Sequence, residues 1–302
     1  MCAARAADAQ ARHEFTAIHM GVPVRMVLHT SSDSLARQAA RAGFARIAEL
    51  DGIMSDYRPS SEVRMLSARP REWQPVSRDL LRVLTQAQEI ARLSGGAFDV
   101  TVGPLVQLWR QSRRTRQLPD AAALARARSR VDYHLLEVDS VRSAVRLWTD
   151  SMQLDLGAIA KGFILQEALD VLRARGVAAA MIEAGGDLVV GDAPPGSAGW
   201  SIEIPGADSA SAEYAKALVN VAVATSGGSQ QFVEIGGVRY AHVVDPRTGL
   251  GLVNAGEVTV IGRRGELVDA VATAMLVLSS DHGRAGALGT IPGVLRVVTR
   301  FK

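Results

Sequence analysis

In Leu154-Asp-Leu-Gly-Ala-Ile-Ala-Lys-Gly162 a short apolar run ends in an acid, a glycine and a lysine where the pattern predicts a helix to begin. That arrangement suits a phosphate with a metal beside it. The chain has only three lysines, Lys161, Lys216 and Lys302, so a lysine at this turn brings a compact point charge into an arginine-rich background. The plain alternative is a strand-to-helix turn with a solvated lysine. Downstream, Leu267 to Leu278 reads as a helix with Asp269 and Thr273 one turn apart on one face. Carboxylate and hydroxyl are hard oxygen donors, which suits Mg²⁺, although a helix start with a back-bonded threonine explains the same pair. Between the two segments, Arg239 to Val244 reads as a hydrophobic strand carrying His242, and Asp245-Pro-Arg-Thr-Gly249 as a tight reversal. An ordinary hairpin with a core histidine is the competing reading there.

The elements that must position these residues follow from periodicity and caps. Glu14 to Thr30 reads as a strand. Ser31 to Tyr57 reads as a long helix entered through a Ser/Asp cap, with Leu35, Ala39, Phe44, Ile47 and Leu50 on its apolar face. Asp79 to Leu93 is helical and stops at Gly95-Gly96. Strands are expected at 135–138, 144–149 and 152–156, then a helix at 158–175 closed by Gly176. Further strands are expected at 178–183, 187–191, 200–204, 217–224, 231–235, 238–244 and 256–262. After the Asp269 helix, a short helix at 281–288 and a strand from Val294 to Arg300 complete the chain. Helices and hairpins mixed in this way indicate α+β layers and not an alternating parallel sheet.

At 302 residues with 48% hydrophobic content the chain can bury a large core, and no linker divides it. Residues 1–13 read as a flexible tail and 14–302 as a single domain. The net charge is only +3, and the arginines are scattered except between Arg110 and Arg130. A solvated insertion with a short amphipathic helix fits that stretch better than nucleic-acid binding, because stacking aromatics and a recognition motif are missing. A single cysteine, Cys2, excludes an intramolecular disulfide and a cysteine-based zinc site. No apolar run reaches transmembrane length, and Met1 to Asp8 lacks the apolar core of a signal peptide.

Taken together, these segments resemble the ApbE family of FAD:protein FMN transferases. The landmarks run in family order: Met20-Gly21, Met54 to Glu62, Gly95 to Leu105, Leu154 to Gly162, Ile182 to Asp187, Ala224 to Gly227, His242 to Gly249, and Asp269 to Thr273. The resemblance implies a T-fold-like layered α/β sandwich. It implies flavin contacts at Met20, Tyr57, Ala97, Phe98, Asp99, Asp155, Lys161, Val243 and Ala272. It also implies metal ligands from the Ala158 carbonyl and the Asp269 and Thr273 side chains. The implied reaction is Mg²⁺-dependent: a threonine hydroxyl of a target flavoprotein attacks the FMN-side phosphorus of FAD, and AMP leaves. His242 is the candidate acceptor of the hydroxyl proton, with Lys161 and Asp269 completing the catalytic set. Gly185-Gly186-Asp187 would allow close backbone approach to a ligand, or form a simple β-turn; Thr225 and Ser226 either add polar contacts or end a strand.

The sequence departs from the family pattern at Gly228-Ser229-Gln230-Gln231, polar and uncharged where relatives carry an acidic-aromatic-basic run, and at Val22-Pro23. An FAD pyrophosphatase and a non-catalytic flavin carrier are the alternatives. The resemblance implies a bacterial periplasmic location, with a cytoplasmic one as the alternative. The implied partner is a membrane-bound or exported electron-transfer flavoprotein. Cys2, directly after Met1, is open to two readings, a lipidated cysteine at the inner membrane or an incidental tail residue.

Overall fold

Between Ala11 and Thr30 two strands form where one was expected. The computed structural model describes residues 10–202, 216–228, 231–279 and 282–300. β1 (Ala11–His19) and β2 (Val22–Thr30) pair antiparallel in continuous register, from Ala11 opposite Thr30 to His19 opposite Val22. The reversal is made by Met20 and Gly21, with φ of 53° and 75°. A two-residue hairpin turn of this hand needs positive φ at both positions, and methionine rarely supplies it, so Gly21 was the one turn signal the sequence carried there. The ladder begins at Ala11, so residues 11–13 are not tail. Cys2, residues 203–215 and Ser229-Gln230 lie outside the described residues.

The remaining elements, in chain order, begin with α1 (Asp33–Met54), whose first turn is capped by Ser32 Oγ accepting from the Leu35 N–H at 3.2 Å. Next come α2 (Glu62–Met65), β3 (Gln74–Pro75) and α3 (Arg78–Ser94), which stops at Gly95 in the left-handed conformation, φ 60°. α4 (Gly103–Thr115) and α5 (Ala121–Arg128) occupy the arginine-rich stretch, where only one short helix was expected. β4 (Leu136–Asp139), β5 (Ala144–Leu147), α6 (Ala160–Ala174), β6 (Ala180–Ala184) and β7 (Asp187–Val190) follow. The chain continues with β8 (Val221–Gly227), β9 (Phe232–Ile235), β10 (Val238–Val244), β11 (Gly251–Val253) and β12 (Glu257–Gly262). α7 (Gly265–Val277), α8 (His282–Gly289) and β13 (Val294–Arg300) complete it. The strand expected at 152–156 is an extended segment touching Val102 through a single bridge at Gln153. Within the described part of 200–204 only Trp200 pairs, with Leu218.

One antiparallel sheet in the order β1-β2-β6-β7-β8-β12-β13 carries the fold, with smaller sheets β11-β10-β9 and β3-β5-β4 beside it. α1, α3, α6 and α7 bury their apolar stripes on one face of the large sheet, around Met26, Ile47, Phe163, Val258, Val271 and Leu276. The opposite face is covered by a smaller cluster centred on Trp200. α4 packs under β10: Trp109 donates its indole N–H to the Gly249 carbonyl at 2.9 Å and lies 5.2 Å from the Tyr240 ring. Behind the sheet face a charge network locks the helices together. Arg46 of α1 reaches Asp79 of α3 at 2.6 Å and Glu167 of α6 at 2.9 Å, and Arg264, ahead of α7, reaches Asp170 of α6 at 3.0 Å. Fixed this way, α6 and α7 present their N-terminal halves to the same edge of β7 and β8.

Candidate active site

Lys161, Asp187 and the Asp269–Thr273 pair, distant from one another in sequence, meet where α6 begins. α6 has no side-chain cap of its own; Ile159 stands at its cap position. The cap comes from α7 instead: Asp269 Oδ2 accepts the Gly162 N–H at 3.0 Å, across 107 residues of sequence. A carboxylate there satisfies an otherwise orphaned donor and faces the positive end of the helix dipole. Such proximity requires bare backbone on both helices, because a Cβ on Gly162 would stand 2.1 Å from the Gly265 carbonyl oxygen. Lys161, one residue earlier, points across to the β6–β7 turn, where its Nζ lies 2.9 Å from Asp187 Oδ2 and 3.5 Å from the Gly185 carbonyl. Gly185 and Gly186 make that turn with φ of 54° and 90°, which explains the glycine pair. Asp187 is held from its other oxygen by the Thr225 N–H at 3.1 Å. The Thr273 hydroxyl lies 2.8 Å from that of Ser226 at the end of β8. Thr225 and Ser226 are therefore part of the site.

The electrostatics are those of buried charge. Burial first, and the neighbouring Asp187 carboxylate second, push the Asp269 carboxyl up to about 7 against the pull of Lys161 and Gly162. Asp187 is raised by burial as well, with Lys161 opposing. Desolvation alone would lower the Lys161 ammonium; Asp187 and Asp269 overcome it and raise its pKa. Two buried carboxylates thus face a single ammonium. That excess of negative charge, with the Thr273 hydroxyl one turn from Asp269, offers the hard oxygen donors a divalent cation takes; Asp269, Thr273 and the Ala158 carbonyl are the groups that could hold one.

A second group of residues forms a flat platform. Tyr57 is 75% exposed, and the Arg110 guanidinium lies over its ring, 4.1 Å from the centroid. Arg110 is anchored by Asp56 at 2.6 Å and Asp155 at 3.4 Å. Asp155 also accepts the Gly157 N–H at 2.8 Å, and burial together with the neighbouring Asp56 raises its carboxyl. Sequence reasoning assigned Arg110 to a solvated stretch; its alternation with buried Trp109 and Ser112 on α4 was the available signal. Without Arg110 the exposed ring loses its cation and Asp56 and Asp155 lose their shared partner. Arg110→Ala is expected to weaken both FAD and riboflavin binding on the order of tenfold, read by fluorescence titration.

The other expected contacts are placed as follows. Met20 is the hairpin tip; its neighbour Val22 approaches Gly185 and Lys161, since a Cβ on Gly185 would stand 3.8 Å from Val22 and 4.0 Å from Lys161 Nζ. Ala97 and Phe98 are buried in the main core, so the Phe98 ring, unlike that of Tyr57, is no stacking surface. Asp99 accepts from the Thr101 N–H and hydroxyl at 2.7 Å, and burial raises its carboxyl to about 6. Val243 packs on the main core from β10, and Ala272 is fully buried within α7, presenting no surface to a ligand. His242 is exposed on β10, its Nδ1 3.2 Å from the Gln231 carbonyl. A carbonyl only accepts, so Nδ1 carries the proton and Nε2 the lone pair. Surrounding protein strips enough hydration to hold its pKa below the ordinary histidine value; Gln231 opposes this, and the charges of Arg113 and Lys161 add to it.

Residues 20–293 match the profile of the ApbE family. The FAD:protein FMN transferase of Treponema pallidum is 32% identical over 268 residues, covering 83% of this chain and 74% of that protein. The enzyme of the same name from Vibrio cholerae is 31% identical over 260 residues, covering 83% and 76%. Among solved structures, the ApbE protein of Thermotoga maritima superposes with a TM-score of 0.82 at 27% identity over 96% of this chain and 94% of that one. The flavin transferase ApbE of Vibrio cholerae gives 0.81 at 25% identity over 97% and 94%. The chain belongs to the ApbE family and is a transferase with its α+β fold.

Proposed function

We propose that this chain moves FMN from FAD to a threonine hydroxyl of a redox flavoprotein, releasing AMP, and that the transfer depends on Mg²⁺. The observation supporting it most is the junction of α6 and α7, where an ammonium, a helix N-terminus, a buried carboxylate and a hydroxyl meet around one point. Those are the groups a pyrophosphate needs on its flank. Mg²⁺ bound by Asp269, Thr273 and the Ala158 carbonyl would neutralise charge on the pyrophosphate oxygens. Lys161, oriented by Asp187 and the Gly185 carbonyl, places a fixed positive charge against the phosphate. Tyr57, steadied by Arg110, offers the flat face on which an isoalloxazine stacks. His242 Nε2 takes the proton of the attacking hydroxyl and is competent because its lowered pKa keeps it neutral at physiological pH. We read the acceptor as an exported or membrane-bound electron-transfer protein and the enzyme as periplasmic; the family resemblance supports both readings.

The test is incubation with FAD, Mg²⁺ and a threonine-bearing acceptor peptide, read by mass spectrometry for the FMN adduct and by chromatography for AMP. Rapid FAD cleavage that the peptide does not divert would replace transfer by hydrolysis. The single-turnover rate is expected to rise with pH as His242 loses its proton, with a midpoint on the acid side of an ordinary histidine. In His242→Ala that limb should vanish and the rate fall on the order of a hundredfold, with FAD affinity unchanged. An unaltered profile would remove His242 from the mechanism.

A further inference from the structure

α4 and α5 carry a basic surface of which the flavin platform uses only Arg110. A groove of about 510 Å³ runs between the two helices, lined by Arg110, Arg114, Arg126 and Arg130 with no acidic residue. Arg113 and Arg116 line a second, separate pocket with Phe232, Val233 and Glu234 of β9. Among the described residues Arg113, Arg114, Arg116, Arg126 and Arg130 have no ion-pair partner, whereas Arg46, Arg82 and Arg264 of the helix network are each matched to acids. Unpaired guanidinium groups clustered on a concave surface repel one another, and a polyanionic partner relieves that repulsion.

The position of this surface selects the partner. At one end Arg110 holds the Tyr57 platform and Asp155; on the other face of α4 Arg113 and Arg116 stand against Phe232 and Val233 of β9, the strand paired with β10, which carries His242. A macromolecule that fills the groove and passes over α4 would therefore touch both the flavin platform and the β9–β10 pair that carries the base. We propose that the α4–α5 groove docks an acidic segment of the acceptor protein flanking the modified threonine, so that charge complementarity brings that threonine to His242. The inference rests on the flavin-transfer reading. It assigns Arg114, Arg126 and Arg130 to acceptor recognition and not to FAD binding, as expected of charges at an interface rim that govern encounter and specificity.

The experiment uses two threonine peptides identical except that one carries glutamates and the other glutamines beside the motif. With the parent enzyme the acidic peptide is expected to have a KM lower on the order of tenfold, an advantage that fades as salt is raised. Arg114→Glu/Arg126→Glu should abolish that advantage while slow acceptor-free FAD cleavage and FAD affinity stay at parent values. The milder Arg114→Gln/Arg126→Gln pair guards against misfolding, with parent-like melting as the check, and should lose most of the advantage. Equal KM values for the two peptides with the parent enzyme, or a preference that survives both double variants, would overturn the proposal. Binding to phosphatidylglycerol vesicles or to single-stranded DNA that the same variants abolish, without any peptide preference, would overturn it in favour of those anions. Failure of the parent enzyme to modify either peptide while cleaving FAD would instead overturn the transfer reading beneath it.

Discussion

Asp269→Asn should fold as the parent does and lose transfer by about a thousandfold or more, the scale on which a charge-stabilising group in a water-poor site contributes. The asparagine carbonyl still accepts the Gly162 N–H that Asp269 Oδ2 accepts at 3.0 Å, so the α6–α7 junction is kept and only the charge is lost. Stability should not fall. The Asp269 carboxyl is raised to about 7 by burial and by Asp187, so removing its charge relieves a Coulombic conflict in the apo protein. Its native pKa is raised above the unfolded value; its contribution to stability is therefore full below the unfolded pKa and declines as pH rises through about 7. The parent's thermal midpoint should thus drop from acid to neutral pH by more than that of Asp269→Asn. Asp269→Ala serves as the contrast, because it orphans the Gly162 N–H at a cost of about 1–3 kcal/mol and lowers the midpoint as well as the rate. Parent-like AMP release by Asp269→Asn at saturating Mg²⁺ would remove the carboxylate from the chemistry.

What the sequence revealed of this site and what it concealed divide along sequence distance. Asp269 and Thr273 were legible as a pair because a helix puts residues four apart on one face, and they remain so in α7. The Ser32 cap and the Gly95 stop were legible because a capping hydroxyl and a left-handed glycine are local necessities. By contrast, Lys161 and Asp187 are brought together only by the large sheet, and nothing in either segment announces the ion pair. Gly185-Gly186-Asp187 accordingly read as a place where backbone approaches a ligand or as a β-turn, with no partner for the carboxylate. α4 was missed for a related reason. It starts at Val102 with no side-chain cap, and its exposed face is covered by arginines, so composition suggested a solvated insertion. Its buried side, Leu105, Trp109 and Ser112, meets β10 and the 245–249 turn, which only the tertiary structure supplies. Arg110, between the platform and the basic groove, was lost with it. The hairpin at Met20 was hidden because methionine occupies a positive-φ position.

The junction itself supplies the second large effect. Gly162→Ala adds one methyl, and in an ordinary helix interior that change stabilises by about 1 kcal/mol. Here the new Cβ would lie 2.1 Å from the Gly265 carbonyl oxygen, 2.4 Å from its carbon and 3.0 Å from Asp269 Cβ. Two of those atoms are backbone and cannot turn aside, and Gly265 faces the same wall, since a Cβ there would lie 2.0 Å from the Gly162 carbonyl oxygen. The helices must separate, and overpacking of this kind costs about 1–3 kcal/mol or more, which exceeds the gain in propensity. A melting midpoint lower by several degrees is expected. Separation also carries Asp269 away from the end of α6, and a displacement of about 1 Å at a reacting centre costs on the order of a hundredfold in rate. Gly52→Ala is the control: Gly52 lies within α1 with no atom within 4 Å of the added Cβ, so it should melt at or above the parent midpoint with parent activity. If Gly162→Ala matched Gly52→Ala in both melting and turnover, the contact between the two helices would not be what positions Asp269.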